Sequence, residues 1–299
     1  MNRPASTFSD SRPMAARGGC RPASFVVLGK GEPQRREADG TPSWIARGAN
    51  FVAVVSRVEA GCELEQAGIP DESMLLLSPA IPVTVSASGE ALRIDEEALA
   101  IVPPGSARIT AHGAGMVVRI FSSAAAEWRD LASNGAAYQG AIADVAPLRY
   151  WPEPAGGFRL RTYRLRDHNE DVGFGRLFRS TNLMINIFHP AAAARDLSHL
   201  SPHDHADFEQ GSLTLEGDFV HYLRTPWGPD RARWRPDEEV RCSGCSLMVI
   251  PPGMIHTTSW TAAGARLVDI FAPPREDFSL KPWVRNAADY PLPEHLATP

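Results

Sequence analysis

An internal repeat constrains this chain more than any other feature. Ile101-Val-Pro-Pro-Gly-Ser-Ala-Arg108 lines up with Val249-Ile-Pro-Pro-Gly-Met-Ile-His256, about 150 residues later, and Val118-Arg-Ile-Phe-Ser122 lines up with Val268-Asp-Ile-Phe-Ala272 at nearly the same offset. Two units of similar size and architecture are therefore expected. Within the first unit, Phe51–Val58, Met74–Leu77, Val83–Ala87, Ala91–Ile94, Leu99–Val102, Arg108–Ala111 and Met116–Phe121 are short apolar runs parted by Gly, Pro, Ser or Asp. Such regular spacing predicts an all-β sandwich or barrel. The 26 prolines and 24 glycines, spread through the chain, point the same way. Ala124–Asn134 is the helix expected in this half.

The second unit carries chemistry that the first lacks. In Ser201–Gly217, His203 and His205 stand two apart, followed by Glu209, Gln210 and a strand-like run that closes on Gly217. On an extended segment, side chains two apart share a face, so the two imidazoles converge if this segment is a strand. His256, in Pro251–His256, supplies a third nitrogen from a distant strand, and Glu209 or Gln210 an oxygen. Three imidazoles and one oxygen suit a divalent transition metal such as Fe, Mn, Ni, Co or Zn.

HxH followed by an acid or amide, a strand ending on Gly, and a later PPGxxH resemble the two motifs of the cupin superfamily. That resemblance implies two tandem cupin barrels of the jelly-roll kind, with the three histidines and the Glu or Gln holding one metal in the later barrel. Family spacing favours Gln210 as the oxygen ligand and leaves Glu209 as its rival. Neighbours on a strand face opposite ways, so only one of them points inward.

In the first copy Arg108 stands where His256 stands, and a guanidinium has no lone pair free for a metal. Asp71-Glu72 corresponds roughly to Glu209-Gln210. A Glu72–Arg108 ion pair in the first pocket is one expectation, a solvated surface pair the other. The chain thus divides into a flexible arm (1–22), a barrel without metal ligands (23–143), a Pro- and Gly-rich linker (144–157) and a metal-binding barrel with a C-terminal tail (158–299). Phe158–Leu165 and Leu183–Phe188 are expected to open the second barrel. Thr225–Val240 is a long charged connection, either a lid over the rim or a solvated hairpin.

Val268-Asp-Ile-Phe-Ala-Pro-Pro-Arg-Glu-Asp277 completes the candidate site. Alternation puts Asp269 and Phe271 on one face, with Arg275 beyond a Pro-Pro turn: an acid for proton transfer, an aromatic wall and a carboxylate-binding guanidinium. The Asp-x-Phe-x-x-x-Arg pattern resembles the cupins of pectin and alginate breakdown, which linearise unsaturated monouronates. It implies a metal-dependent enzyme acting on a small sugar acid or keto acid by isomerisation or ring-opening. Two other readings keep the same fold: an iron-dependent dioxygenase, and a small-molecule-binding protein without turnover.

Charge narrows the partners. The formal net charge is −5, which gives no electrostatic case for nucleic acid or an anionic membrane, and no apolar run approaches the roughly 20 residues of a membrane span. A small anionic substrate and a homodimer are expected. Cys242 and Cys245 form a lone CxxC in a polar segment and read as a thiol pair in a loop. With no secretion signal, a reducing cytoplasm is the expected compartment.

Overall fold

A computed structural model describes residues 20–140, 142–170 and 175–297. The flexible-arm expectation for residues 1–19 lies outside them. The regular elements of the described residues are nearly all antiparallel strands, arranged as two barrels, each a large sheet facing a small one. In the first barrel a seven-stranded sheet, ordered Arg161–Arg164, Ala98–Val102, Ser73–Leu77, Gly115–Ser122, Phe51–Val58, Pro42–Arg47, Arg35–Arg36, faces a four-stranded one built on Glu63–Ile69, Gly105–Ala111, Val83–Ala87 and Glu90–Ile94. In the second, a six-stranded sheet, ordered Ser24–Val27, Ser246–Ile250, Gln210–Glu216, Arg266–Phe271, Met184–Ile187, Arg176–Arg179, faces Glu238–Ser243, Asp218–Arg224 and Ile255–Trp260.

The two large sheets pack back to back, and this is why their strands are apolar on both faces. Along Phe51–Val58, Phe51, Ala53 and Val55 point at the second barrel; on its facing sheet Ile185, Leu213, Leu247, Val249 and Ile270 point back. The alternate positions, among them Leu75, Leu77, Ala98, Ala100, Val102 and Val117, fill the interior of the first barrel together with Val83, Val85 and Ile109.

Each barrel borrows a strand. Ser24–Val27, at the start of the described chain, pairs with Ser246–Ile250 in the second barrel. Arg161–Arg164 pairs with Ala98–Val102 in the first, so Phe158–Leu165 does not open the second barrel as expected. Arg176–Arg179, which the sequence reading did not mark, precedes Met184–Ile187 and pairs with it; Met184–Ile187 is a second-barrel strand as expected, buried on both faces.

Several local expectations are also corrected. The helix over Ala124–Asn134 shrinks to one turn, Ala126–Arg129, which seats Trp128 flat on Phe121, ring centroids 5.3 Å apart. Thr225–Val240 is a hairpin connection: Asp218–Arg224 pairs with Glu238–Ser243, and Trp227 stacks on Trp234 at 4.3 Å. Both CxxC thiols are free; Cys242 packs inside the second barrel and Cys245 against the core between the barrels. No helix among the described residues is long and apolar enough to cross a membrane.

Candidate metal centre

The centre lies at one end of the second barrel. His203 and His205 do not sit on a regular strand, so alternation is not what brings them together. The backbone of His203 instead forms an isolated antiparallel bridge with His256, His203 N–H donating to His256 O at 3.1 Å and His256 N–H to His203 O at 2.8 Å. Gly253 N–H donates to His205 O at 2.7 Å. The loop is thereby stitched to the Pro-Pro-Gly turn, and one ligand-type atom from each of the three imidazoles lies within 4.8 Å of the others.

Second contacts fix the ring orientations. His203 Nδ1 donates to Ser201 O and His256 Nδ1 to Met254 O, each at 2.9 Å. Both rings therefore turn Nε2 away from the backbone with its lone pair available, and His256 Nε2 is buried with no hydrogen-bond partner. Burial holds the His203 and His205 pKa values below the usual range and lowers that of His256 to about 3, so all three rings are neutral, as ligands must be.

Gln210, first residue of the strand Gln210–Glu216, faces inward. His205 Nε2 donates to its Oε1 at 2.9 Å, while its Nε2 donates to Ser212 Oγ at 3.0 Å and Asp269 Oδ1 at 3.2 Å. The amide is thus oriented with its oxygen on the imidazoles. Glu209 faces the other way, into the first barrel, where it accepts from Arg21 Nη2 and Ala49 N–H. Of the two residues offered by the sequence, Gln210 is the one that faces the imidazoles.

Asp269 and Phe271 share the inner face of Arg266–Phe271, as alternation predicts. Burial raises the Asp269 pKa to about 7, against the hydrogen bond from Ser212 Oγ (2.7 Å) and the charge of Arg275. Arg275 lies against three rings, 3.5 Å from the centroid of Phe278, 4.8 Å from Phe208 and 5.2 Å from Phe271. Its Nε and Nη2 donate to Asp277, which leaves Nη1 to reach a ligand.

No protein-family model matches the chain, and no curated protein matches it. Solved structures do. An oxalate decarboxylase from Lactobacillus farciminis, in complex with formate, is similar at a TM-score of 0.54 and 13% identity, over 88% of this chain and 89% of that one. An IolB-like protein from Salmonella typhimurium reaches 0.53 at 12% identity, over 91% and 97%. The protein Ylba from E. coli reaches 0.53 at 12%, over 85% and 91%. The fold is that of a bicupin. At such identities the likeness carries the fold alone, and the chemistry of this chain has to come from its own residues.

Four residues beside the site escaped the sequence reading. Phe208 stacks on His205, centroids 4.4 Å apart; no periodicity marks it, because it lies in an irregular loop. Phe278 sits in a one-turn helix, Glu276–Ser279, that only packing reveals. Ser212 was legible as the inward position two after Gln210. His221 was legible by the same alternation: it is fully buried, pairs with Thr258 Oγ1 at 2.9 Å, and burial lowers its pKa to about 4.

The first barrel answers differently from the expectation. Glu72 and Arg108 do not meet. Along the unbroken alternation of Gly105–Ala111, Ala107 and Ile109 face inward while Arg108 faces solvent and pairs with Glu65 at 2.9 Å; the extra residue of the bulge lies on the partner strand Glu63–Ile69. The acid pair is also offset by one. Ser73 pairs with Val102 as Gln210 pairs with Ile250, each partner directly before its Pro-Pro-Gly, so Glu72 is the counterpart of Glu209.

Proposed function

We propose that this bicupin is a metal-dependent enzyme acting on a small carboxylated substrate, a sugar acid or keto acid, by isomerisation or ring-opening. The observation that carries the reading is the meeting of three neutral imidazoles and one amide oxygen with a buried carboxyl and a guanidinium. His203, His205, His256 and Gln210 would hold one divalent transition metal. The donor set fits: one ligand-type nitrogen from each imidazole lies within 4.8 Å of the others, the orphaned His256 Nε2 gains the partner that a buried polar atom needs, and His205 Nε2 would release its proton, and with it the hydrogen bond to Gln210 Oε1, to become a ligand. When bound, the ion supplies Lewis acidity toward a carbonyl, hydroxyl or carboxylate oxygen of the substrate.

The side chains around it divide the remaining work. Arg275 binds the substrate carboxylate, its guanidinium plane held by Phe208, Phe271 and Phe278. Asp269 moves the proton. Its Oδ1 is occupied by Ser212 and Gln210, so Oδ2 is the oxygen that exchanges it, and a pKa of about 7 lets the group give or take a proton near neutrality. The likeness to oxalate decarboxylase agrees with a small carboxylated substrate, and the proposal rests on the side chains.

Two measurements test it. Protein purified without added metal is expected to hold one transition-metal ion per chain, and the His256→Ala variant to hold almost none; equal content in both would remove the ligand assignment. Screened against uronates and keto acids, Asp269→Asn is expected to lower turnover by about 10²–10⁴-fold with metal content unchanged. Full activity in that variant would take Asp269 out of the mechanism.

A further inference from the structure

Glu209 is buried beside the centre and takes no direct part in it. Its carboxylate spans to the first barrel, accepting from Ala49 N–H at 2.5 Å and Tyr138 Oη at 3.3 Å, and also accepts from Arg21 Nη2 at 2.7 Å, just ahead of the strand Ser24–Val27 that the second barrel borrows. Arg21 is itself held by both oxygens of Asp144 at 2.9 Å. The approach is close enough to exclude a side chain: a Cβ at Gly48 would lie 2.8 Å from Glu209 Oε2 and 2.4 Å from the Phe51 ring. On the far side of Gln210, Gly211 meets the same ring, where a Cβ would lie 2.6 Å from Phe51. Both neighbours of Gln210 are therefore seated on the first barrel, and alternation leaves Gln210 only the inward direction. The loop before it, Ser201–Phe208, has no regular strand pairing that could set this direction.

We infer that Glu209 is a positioning residue for the metal centre, and that through it the first barrel fixes how Gln210 and the histidine loop are presented. The inference rests on the ligand reading above. A built-in control separates positioning from plain stability. Glu72, the counterpart of Glu209, makes the mirror-image span: fully buried, it accepts from Thr181 N–H and Thr181 Oγ1 at 3.0 Å and from Tyr290 Oη at 2.9 Å, all in the second half of the chain. The residue that follows it is Ser73, inside the apolar barrel. Both clamps join the barrels, and only one is next to a candidate ligand.

The test is Co²⁺ binding to the full-length protein, read by the visible spectrum of the bound ion, together with thermal unfolding. Glu209→Ala is expected to weaken Co²⁺ binding by about 10–100-fold, the range for residues that orient metal ligands, and to change the spectrum. Glu72→Ala is expected to lower the unfolding temperature similarly and to bind Co²⁺ with the wild-type constant. Equal Co²⁺ constants for Glu209→Ala and Glu72→Ala would overturn the inference. If Glu209→Ala fails to fold, Arg21→Met decides, since it removes one donor from a half-exposed position: several-fold weaker binding supports the inference and an unchanged constant overturns it. Absence of Co²⁺ uptake by the wild type would instead overturn the ligand reading, and the positioning role with it.

Discussion

Asp269 and Arg119 occupy the same place in the two barrels. Each faces inward from the second strand after the Pro-Pro-Gly turn; Asp269 lies opposite Ser212 and Asn186, and Arg119 opposite Leu75 and Val54. Around Asp269 the interior is polar, with Gln210, Ser212, Asn186, His205, His221 and His256 all buried. Around Arg119 aliphatic side chains crowd most of the interior, and the fully buried guanidinium pairs with Glu37 at 2.8 Å, bonds Ser56 Oγ at 3.0 Å and stacks over Trp128. One scaffold therefore serves two ends. An interior with unpaired imidazole nitrogens can admit a cation; one that already holds a guanidinium paired with its own carboxylate repels a second cation and offers it no imidazole. The ion pair expected between Glu72 and Arg108 is absent; the buried pair of this barrel is Glu37 with Arg119, which the sequence reading did not name.

Substitutions on the first-barrel side sharpen this contrast. Arg119→Met, which leaves Glu37 in the interior with only Arg35 at 3.4 Å as counter-charge, is expected to cost up to about 3–5 kcal/mol in denaturant unfolding. Adding Glu37→Gln should recover most of that. Metal content should stay at the wild-type level throughout; loss of metal on breaking the Arg119 pair would show that the two interiors are not independent. Gly211→Ala pushes a methyl into Phe51 across the interface, with an expected loss of about 1–3 kcal/mol. Phe51→Leu in the same chain should relieve part of it, measured as a non-additive double-mutant cycle. The smallest effect belongs to Arg108, the sequence counterpart of His256. Its pair with Glu65 is exposed, so Arg108→Ala is expected to change stability by less than about 1 kcal/mol. A large loss there would mean that the position still serves a pocket.

Much of the candidate centre was legible because its geometry is local. The inward faces of Gln210, Asp269 and Phe271 follow from strand alternation, and the repeat announced two like units. Where alternation failed, a local irregularity intervened. His203 and His205 converge through a backbone bridge to His256 rather than along a strand. Arg108 is a different case: alternation along Gly105–Ala111 itself gives the inward positions to Ala107, Ile109 and Ala111 and turns the guanidinium outward.

The sequence by itself determined the all-β class, the doubling, and the residue types available to a metal, because these depend on composition and on periods of a few residues. Only the tertiary structure decided which barrel takes each borrowed strand, whether Glu209 or Gln210 faces the imidazoles, and what neutralises Arg119. Those outcomes depend on partners more than a hundred residues away for Ser24–Val27 and Glu209, and some eighty away for Arg119. A strand's own pattern says which side chains share a face, and packing alone says what that face meets.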